Sequence, residues 1–281
     1  MFKATSWQIR DRQFHWGDRT YIMGILNITP DSFSDGGQFN SRDAALAQVA
    51  KIYPYIDILD IGGESTKPNA QSVSAEAECD RIVPVIEAIR SEYPSLPISV
   101  DTTKASVAKA AIAAGADMLN DVSAGRFDPE MLPLAGKLKV PIFLMHMLGT
   151  PSTMQVNPQY QNVISEVKQF LSDAISIAKA CGVPTHLVGI DPGIGFGKTL
   201  EHNLEILKNL QEFNTINAPL LMGVSRKSFI GKICDRSEPS DRLFGTIAAC
   251  CACIAGGADI VRVHDPINIF DACKVSDAIH R

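Results

Sequence analysis

Two carboxylates stand at the ends of short apolar runs in this chain. Asp101 ends the run ISVD, and Asp191 ends the run LVGID just before a Pro-Gly pair. A carboxylate at the buried tip of a strand is costly unless it is paired or hydrogen-bonded, so each one requires a partner. That partner is either a structural cation or helix N-terminus, or the N–H groups of a planar, guanidine-like heterocycle held as in a bidentate pair.

Asn120 adds an amide that can both donate and accept hydrogen bonds, directly before Asp121. It could bind the same heterocycle, or it could tie one strand to the next loop. Taken alone, the residue favours the structural role.

Basic residues cluster near the C-terminus of an otherwise acidic chain. Ser225-Arg226-Lys227 and Arg262-Val263-His264 each follow an apolar run. Cations at the last two strands of an α/β barrel form its usual phosphate corner. We interpret Lys227 and Arg262 as ligand-binding residues and Arg226 as one half of a structural ion pair.

A third kind of candidate is a metal ligand. Asn27 closes the apolar run YIMGILN. Its amide oxygen could bind a hard cation together with diphosphate oxygens, which is the sparse protein coordination typical of Mg²⁺ at phosphates.

Two further motifs are weaker. The loop from Gly193 to Lys198, GIGFGK, matches neither the dinucleotide fingerprint nor the Walker pattern, so its glycines are expected to let the backbone and Phe196 approach a flat ligand.

The CCAC run, Cys250 to Cys253, has no second cluster to complete a zinc site. It lies in a small-residue helical segment, 245–257, and is expected to pack in the core.

The elements that must position these groups alternate from end to end between strand-length apolar runs and longer helical segments, which favours βαβ units. The predicted strands are Tyr21–Asn27, Ile56–Ile61, Ile98–Asp101, Met118–Asp121, Ile142–His146, His186–Asp191, Leu220–Gly223 and Ile260–Val263. Eight strand-helix units could close as a barrel or lie open as a doubly wound sheet. Nearly all of the strands end in polar groups, which favours closure, because only a closed barrel brings eight carboxyl ends to one mouth. We therefore predict an α/β fold, a single (β/α)8 TIM barrel over residues 1–281.

Other segments are predicted from local signals. Residues before Tyr21 are expected to form a short N-terminal β-hairpin that plugs the barrel floor. The loops 29–40 and 64–74 lack a helical pattern and are long, so we expect both to lie at the catalytic end. One helix is predicted to start at Pro129 behind an Asp128 cap, and another to run from Thr103 to Ala114, capped by Thr102 or Thr103 and stopped by Gly115.

Composition limits the function classes. The 281 residues carry a formal charge of −5, which gives no basic field for nucleic acid, and no apolar stretch reaches the roughly 20 residues that span a bilayer. Seven cysteines without a regular framework and the absence of a secretory signal are typical of a cytoplasmic protein.

The longest motif of the chain resembles a known family. The segment GILNITPDSFSDGG, residues 24–37, is similar to the first signature of the dihydropteroate synthases, and DIGGESTKP, residues 60–68, resembles the second. The other motifs follow in the family's order, and together they span residues 22–264: 99–104, 120–121, 144–147, 191–198, 225–228 and 262–264.

This resemblance implies the condensation of 6-hydroxymethyl-7,8-dihydropterin diphosphate with 4-aminobenzoate, with Mg²⁺, in a homodimer. Asp101, Asn120, Asp191 and Lys227 would hold the pterin, Asn27 would meet Mg²⁺, and Arg262 with His264 would hold the diphosphate while Arg262 also stacks on the pterin. The remaining implied substrate contacts are Thr66, Lys67, Pro68, Met145, Phe196, Ser225 and Lys227, several of which would shape the aminobenzoate pocket where sulfonamides compete.

Two departures and two alternatives remain. Lys67 stands where the family usually has arginine, which removes a bidentate fork, and Leu148 stands where glutamine is common.

A methyltetrahydrofolate-dependent corrinoid methyltransferase has a similar barrel but binds no diphosphate and needs no basic corner. A catalytically silent pterin-binding barrel is the other alternative.

Overall fold

The computed structural model describes residues 6–28, 37–65 and 73–281, without the side chains of 37–41. A two-stranded antiparallel hairpin comes first, with β1 at Ser6–Ile9 and β2 at Arg12–His15. The remaining strands are parallel: β3 Tyr21–Asn27, β4 Ile58–Gly62, β5 Ile98–Asp101, β6 Met118–Asp121, β7 Ile142–Met145, β8 Val188–Asp191, β9 Leu221–Met222 and β10 Ile260–Val263.

The parallel strands close into a barrel, as predicted. Their order is β8-β7-β6-β5-β4-β3-β10-β9. The two edges then meet, because Ile190 of β8 forms a parallel bridge with Leu220 and donates its N–H to the carbonyl of Pro219 at 2.9 Å. Helices cover the outside: α1 Gly37–Ile52, α2 Ala75–Glu92, α3 Ala105–Ala113, α4 Met131–Leu138, α5 Val163–Ala180, α6 Leu200–Lys208, α7 Ser228–Cys234, α8 Leu243–Ala255 and α9 Pro266–His280.

Four of the eight predicted strands have the predicted bounds, and the others are shorter. Residues 185–187 form a turn of 3-10 helix, so β8 begins at Val188 and not at His186. The predicted strand Leu220–Gly223 keeps only Leu221 and Met222 in the ladder. Apolar composition marks burial, whereas a ladder also needs a partner at each residue, which a run of letters does not reveal.

The start of α4 was predicted wrongly. The helix begins at Met131, two residues after Pro129, because Asp128 organises a turn instead, accepting the N–H of Glu130 at 3.0 Å. The second carboxylate oxygen of Asp128 caps a different helix, α3, by accepting the N–H of Ala105 at 2.7 Å. Thr102 accepts the N–H of Lys104 at 3.2 Å, so α3 starts at Ala105 and not at Thr103.

Two loop predictions are only partly testable. Residues 29–36 and 66–72 lie outside the described residues. Residues 37–40, predicted as loop, form the first turn of α1. The residue types Asn and Ser, which favour helix caps, placed the predicted boundary too late.

The hairpin closes the barrel at the amino ends of the strands, as predicted. Trp7, Phe14 and Trp16 are almost fully buried and form one cluster with the floor residues Tyr21, Met23, Ile58, Met118, Phe143, Leu221 and Ile260. The Trp7 ring lies 5.2 Å from that of Phe143, and its indole N–H donates to the carbonyl of His186 at 2.6 Å. Ligands can therefore reach the barrel only from the opposite end.

The helix that carries the cysteine run packs as expected. Cys250 and Cys253 on α8 are buried, and among the residues that the structure describes no three His, Cys, Asp or Glu side chains are grouped to hold a metal. On the outer side, Phe244 at the start of α8 is 83% exposed, and α9 carries three exposed apolar residues, Ile267, Val275 and Ile279. No helix in the described ranges is long and apolar enough to cross a bilayer.

Candidate active site

One guanidinium joins two acids at the carboxyl ends of the strands. Arg262 on β10 donates from Nε to Asp60 Oδ2 at 2.6 Å and from Nη2 to Asp101 Oδ2 at 2.7 Å. All three residues come from different strands, β10, β4 and β5. A cation shared by two buried carboxylates leaves one negative charge without an ionic partner inside this network.

Asp60 is a site residue that sequence reasoning missed. Its side chain is 0% exposed, and Oδ2 also accepts the amide N–H of Asn120 at 3.1 Å, while Oδ1 has no hydrogen-bond partner. The signal was present, because Asp60 interrupts the apolar run Ile58 to Ile61 at a strand position where a charge requires partners.

The protonation of Asp101 follows from this environment. Burial raises the pKa of Asp101 to about 7, Arg262 opposes the rise, and the neighbouring Asp60 carboxylate adds to it. A carboxylate near pH 7 that is half protonated is unusual and is typical of functional sites.

Asp191 and Lys227 form the second charged pair of the mouth. Asp191 Oδ1 accepts the N–H of Gly193 at 2.7 Å, and burial raises its pKa although Lys227 opposes this. Burial lowers the pKa of Lys227 to about 8, against the attraction of Asp191. The Lys227 ammonium lies 4.0 Å from the centre of the Phe196 ring, a cation–π contact that leaves the ring as one wall of the mouth.

Ser225 and His264 are in direct contact. Ser225 Oγ lies 3.2 Å from the His264 N–H, which donates to it, and 3.0 Å from His264 Nδ1. The Ser225 hydroxyl can donate to Nδ1 or accept from it; when it donates, the proton of the neutral ring is on Nε2. Burial lowers the pKa of His264 to about 3, and Arg262 and Arg226 add to this, so the ring is a neutral donor.

Arg226 has the structural role predicted for it. Its guanidinium binds both carboxylate oxygens of Asp265, with Nε 2.8 Å from Oδ2, and its backbone N–H donates to Thr246 Oγ1 at 3.0 Å. It stands in the left-handed region with φ of 58°. This conformation separates the side chain of Arg226 from that of Lys227.

The metal candidate lies beside the acids. Asn27 pairs with Gly62 across β3 and β4, and Gly62 pairs with Asp101 across β4 and β5. A methyl group placed on Gly62 would lie 3.7 Å from Asn27 Oδ1 and 3.5 Å from the Cβ of Asp101. The glycine therefore leaves the amide oxygen and the carboxylate adjacent on one surface.

The structure thus brings most predicted site residues to one opening. Asp101, Asp191, Lys227, Arg262 and His264 interact electrostatically with one another in an overlapping chain. Met145 is buried against Phe196 in a small apolar cluster with Val122, Met147 and Met154. Thr66, Lys67 and Pro68 lie outside the described residues.

The glycine-rich loop after β8 is shaped by the protein around it. Gly193, Gly195 and Gly197 have positive φ, at 71°, 83° and 66°. A methyl group on Gly193 would collide with the carbonyl oxygen of His146, and one on Gly197 would lie 2.8 Å from that of Leu148. Two of these glycines therefore let this loop pack on residues 146–148, a reason that sequence reasoning did not find.

Comparison with known proteins gives a consistent result. The family described as pterin binding enzyme matches residues 23–264. The chain is 51% identical over 269 residues to a dihydropteroate synthase of Synechocystis, covering 95% of this chain and 93% of that one.

Solved structures agree with the sequence relatives. The Xanthomonas albilineans dihydropteroate synthase with 4-aminobenzoic acid has a TM-score of 0.91 and 40% identity, covering 99% of this chain and 98% of that one. The Yersinia pestis dihydropteroate synthase in complex with a sulfonamide drug has a TM-score of 0.91 and 38% identity, covering 98% of both chains.

Proposed function

This chain belongs to the pterin-binding enzyme family and acts as a dihydropteroate synthase, a transferase of folate biosynthesis, and we propose which substrate each residue at the mouth of the barrel binds. The single observation that carries the assignment of roles is the sharing of Arg262 between Asp60 and Asp101, beside Asp191 and Lys227. This contact joins an acidic end of the mouth, formed by Asp101 and Asp191, to a basic end, formed by Arg262 and His264. A corrinoid methyltransferase has no use for the basic end.

The acidic end binds the pterin. Asp101 and Asp191 accept N–H groups of the ring, and Asn120 and Lys227 add hydrogen bonds to its remaining polar edge. What supports this is that both carboxylates are buried and have their pKa raised, so a ligand that donates hydrogen bonds is favoured over water. Arg262 lies across the same ring and links it to the basic end.

The basic end binds the diphosphate. Arg262 supplies charge, and the neutral His264 donates from Nε2, since Nδ1 is held by Ser225. Asn27 would hold Mg²⁺, because a single amide oxygen beside phosphate oxygens and water suits the hard, octahedral ion. When bound, Mg²⁺ supplies positive charge to the departing diphosphate.

The reaction follows from this division. The bond between the pterin methylene carbon and the diphosphate oxygen breaks early as the basic end stabilises the leaving group. The electron pair leaves with the oxygen, and the cation left on the dihydropterin lies next to the Asp101 carboxylate. The amine nitrogen of 4-aminobenzoate then forms the C–N bond and releases its proton, without a strong base since its pKa is already low.

We propose that Phe196, Ser225 and Lys227 line the aminobenzoate pocket. Thr66, Lys67 and Pro68, outside the described residues, are proposed to contact the same substrate because of the family resemblance. A sulfonamide would compete there with 4-aminobenzoate. Support comes from the Lys227 ammonium, 4.0 Å from the centre of the Phe196 ring, since the two together offer an aromatic wall and a cation to an aromatic carboxylate.

The experiment is an assay of diphosphate release by purified protein with the pterin diphosphate, 4-aminobenzoate and Mg²⁺. Release is expected only when all three are present, and Asp101→Asn is expected to lower kcat/KM by about a hundredfold. Diphosphate release at the same rate with and without 4-aminobenzoate would reject the synthase assignment.

The metal site is tested separately. Asn27→Ala is expected to raise the Mg²⁺ concentration for half-maximal rate about tenfold, whereas Asn268→Ala, at an exposed residue, is expected not to change it.

The protein is proposed to form a homodimer through α8 and α9. These helices pack together and carry four exposed apolar residues, Phe244, Ile267, Val275 and Ile279, and a second copy would bury them. Sedimentation velocity is expected to show a dimer that Phe244→Asp converts to a monomer. Ile177→Asp, at an apolar residue of α5 that is 56% exposed, is expected to leave the dimer intact, and a monomeric parent protein would reject the interface.

A cytoplasmic location is the last part of the proposal. All seven cysteines are free, and Cys250, Cys253 and Cys273 are buried thiols whose pKa is raised by burial. Thiols of this kind suit a reducing compartment. Fractionation of the source cells with an antibody to the protein tests it.

A further inference from the structure

Lys198 is a buried lysine with a defined pair of acceptors. It is 3% exposed, and its ammonium donates to His146 Nδ1 at 2.8 Å and to the carbonyl oxygen of Phe196 at 3.1 Å. Lysine is almost never fully buried unless it is paired. Neither Lys198 nor His146 has a part in the chemistry described above, so their burial needs another reason.

His146 is built to accept from this lysine. Burial lowers the pKa of His146 to about 2, and Lys198 and Arg126 add to this, so the ring is neutral. Because Nδ1 accepts from Lys198, the ring proton is on Nε2. Phe170 packs edge-on to the imidazole at 4.8 Å, which fixes the direction of Nδ1.

Lys198 keeps both bonds across its titration. Burial lowers the pKa of Lys198 to about 7, against the attraction of Asp191. An ammonium has three N–H bonds and a neutral amine has two, so either form can donate to both acceptors. These two hydrogen bonds of Lys198, to His146 and to the carbonyl of Phe196, form a bridge that is present in both protonation states.

The bridge ends at a residue of the aminobenzoate pocket. The carbonyl that Lys198 holds belongs to Phe196, whose ring faces the Lys227 ammonium. The rest of the loop is held separately, since Gly195 donates to Asn203 at 2.7 Å and Tyr160 donates to Gly197 at 2.7 Å. Lys198 thus holds the carbonyl side of Phe196, while the Phe196 N–H donates to the Gly193 carbonyl at 3.1 Å.

We propose that His146 and Lys198 are positioning residues, which hold the Phe196 peptide so that its ring stays against Lys227 in the orientation that receives the aromatic amine. The inference rests on the proposed function. It predicts that changes at His146 affect the second substrate and not the first, because the pterin acids Asp101 and Asp191 take their hydrogen bonds from Arg262 and Gly193 and not from His146. Lys198 also attracts Asp191, so the comparison between substrates is made with His146 variants, which keep the lysine.

The test compares His146→Asn with His146→Leu. Asn and Leu have nearly the same shape, both lose the ring contact with Phe170, and only Asn keeps an acceptor near the position of Nδ1. The KM for 4-aminobenzoate is expected to be about tenfold higher in His146→Leu than in His146→Asn, the usual effect of losing a hydrogen bond to a charged donor. The KM for the pterin diphosphate is expected to agree within about twofold between the two variants.

A second substitution covers a failure of His146→Leu to fold. Lys198→Met removes both donations with little change of volume and is expected to raise the KM for 4-aminobenzoate as His146→Leu does, while the exposed Lys208→Met is expected to match the parent protein. Equal KM values for 4-aminobenzoate in His146→Asn and His146→Leu, or a parallel rise of both KM values in His146→Leu, would overturn the positioning role. A parent protein that releases no diphosphate would instead reject the proposed function, so the two failures are distinguishable.

Discussion

Arg262 and Asp101 are separated by two intervening strands of the barrel, yet Nη2 of the arginine lies 2.7 Å from Oδ2 of the aspartate. The contact crosses the barrel interior because both side chains point inward at its mouth. Since Nε of the same arginine binds Asp60, removing Arg262 strips two buried carboxylates of their cation at once.

Arg262→Ala is therefore expected to lower the free energy of unfolding by about 3 kcal/mol, the usual effect of breaking a buried ion pair. Arg262 opposes the rise in the pKa of Asp101, so without the guanidinium the folded-state pKa of this carboxyl stands still further above its unfolded value, and the folded form binds an extra proton and loses stability as pH rises. The deficit should consequently be larger at about pH 8 than at about pH 6. Urea denaturation at both pH values checks this, with the exposed Arg236→Ala as control; a deficit independent of pH would contradict it.

The acid limb of the pH–rate profile is expected to belong to Asp101. Its pKa is raised to about 7, so the carboxylate that should stabilise the pterin cation is progressively lost as pH falls through that value. We expect kcat/KM for the pterin diphosphate to fall below about pH 7 in the parent protein and to lose this limb in Asp101→Asn, on top of a lower rate. Lys198 also titrates near pH 7. The acid limb must therefore still be present in Lys198→Met. Its absence from that variant would show that the limb belongs to Lys198 and not to Asp101.

Close packing of the glycine loop makes Gly193 sensitive to substitution. Gly193→Ala adds a methyl group that meets the His146 carbonyl, in a residue with φ of 71°. Gly182 has φ of 89° but open space around it, so Gly182→Ala is a matched control for backbone strain alone, which costs about 1 to 2 kcal/mol. Gly193→Ala is expected to be less stable than that control by roughly 1 to 3 kcal/mol. Equal denaturation midpoints for the two variants would show that the close approach is not what requires glycine.

The hairpin is expected to stabilise the barrel without touching catalysis. Trp7 is buried between the rings of Trp16 and Phe143, at 5.0 Å and 5.2 Å, at the end of the barrel opposite the mouth. Trp7→Ala should lower the free energy of unfolding by about 3 to 5 kcal/mol, and Trp7→Phe by less because a ring remains. Well below the melting temperature, kcat/KM of both variants should equal that of the parent. A loss of kcat/KM in the folded Trp7→Phe variant would show that the floor and the mouth are coupled.

The sequence by itself determined the barrel and the chemical types at its mouth. Apolar runs of strand length alternate with helical segments, and polar residues such as Asp101, Asp191 and Lys227 follow the runs, so the period and order of the residue types predict both closure and the polar end. The hairpin was also predictable from its alternation. These are local signals, since each depends on residues that are neighbours in the chain.

Only the tertiary structure decided which partner each polar group takes. Arg262 binds Asp60, 202 residues away, and Lys198 binds His146, 52 residues away. The spacing of residues along the chain does not predict either pair. Asp128 was predicted to cap the helix that follows it, but it caps α3 instead, 23 residues earlier. A buried charge makes a partner obligatory, whereas the identity of the partner depends on how the barrel brings distant strand ends together.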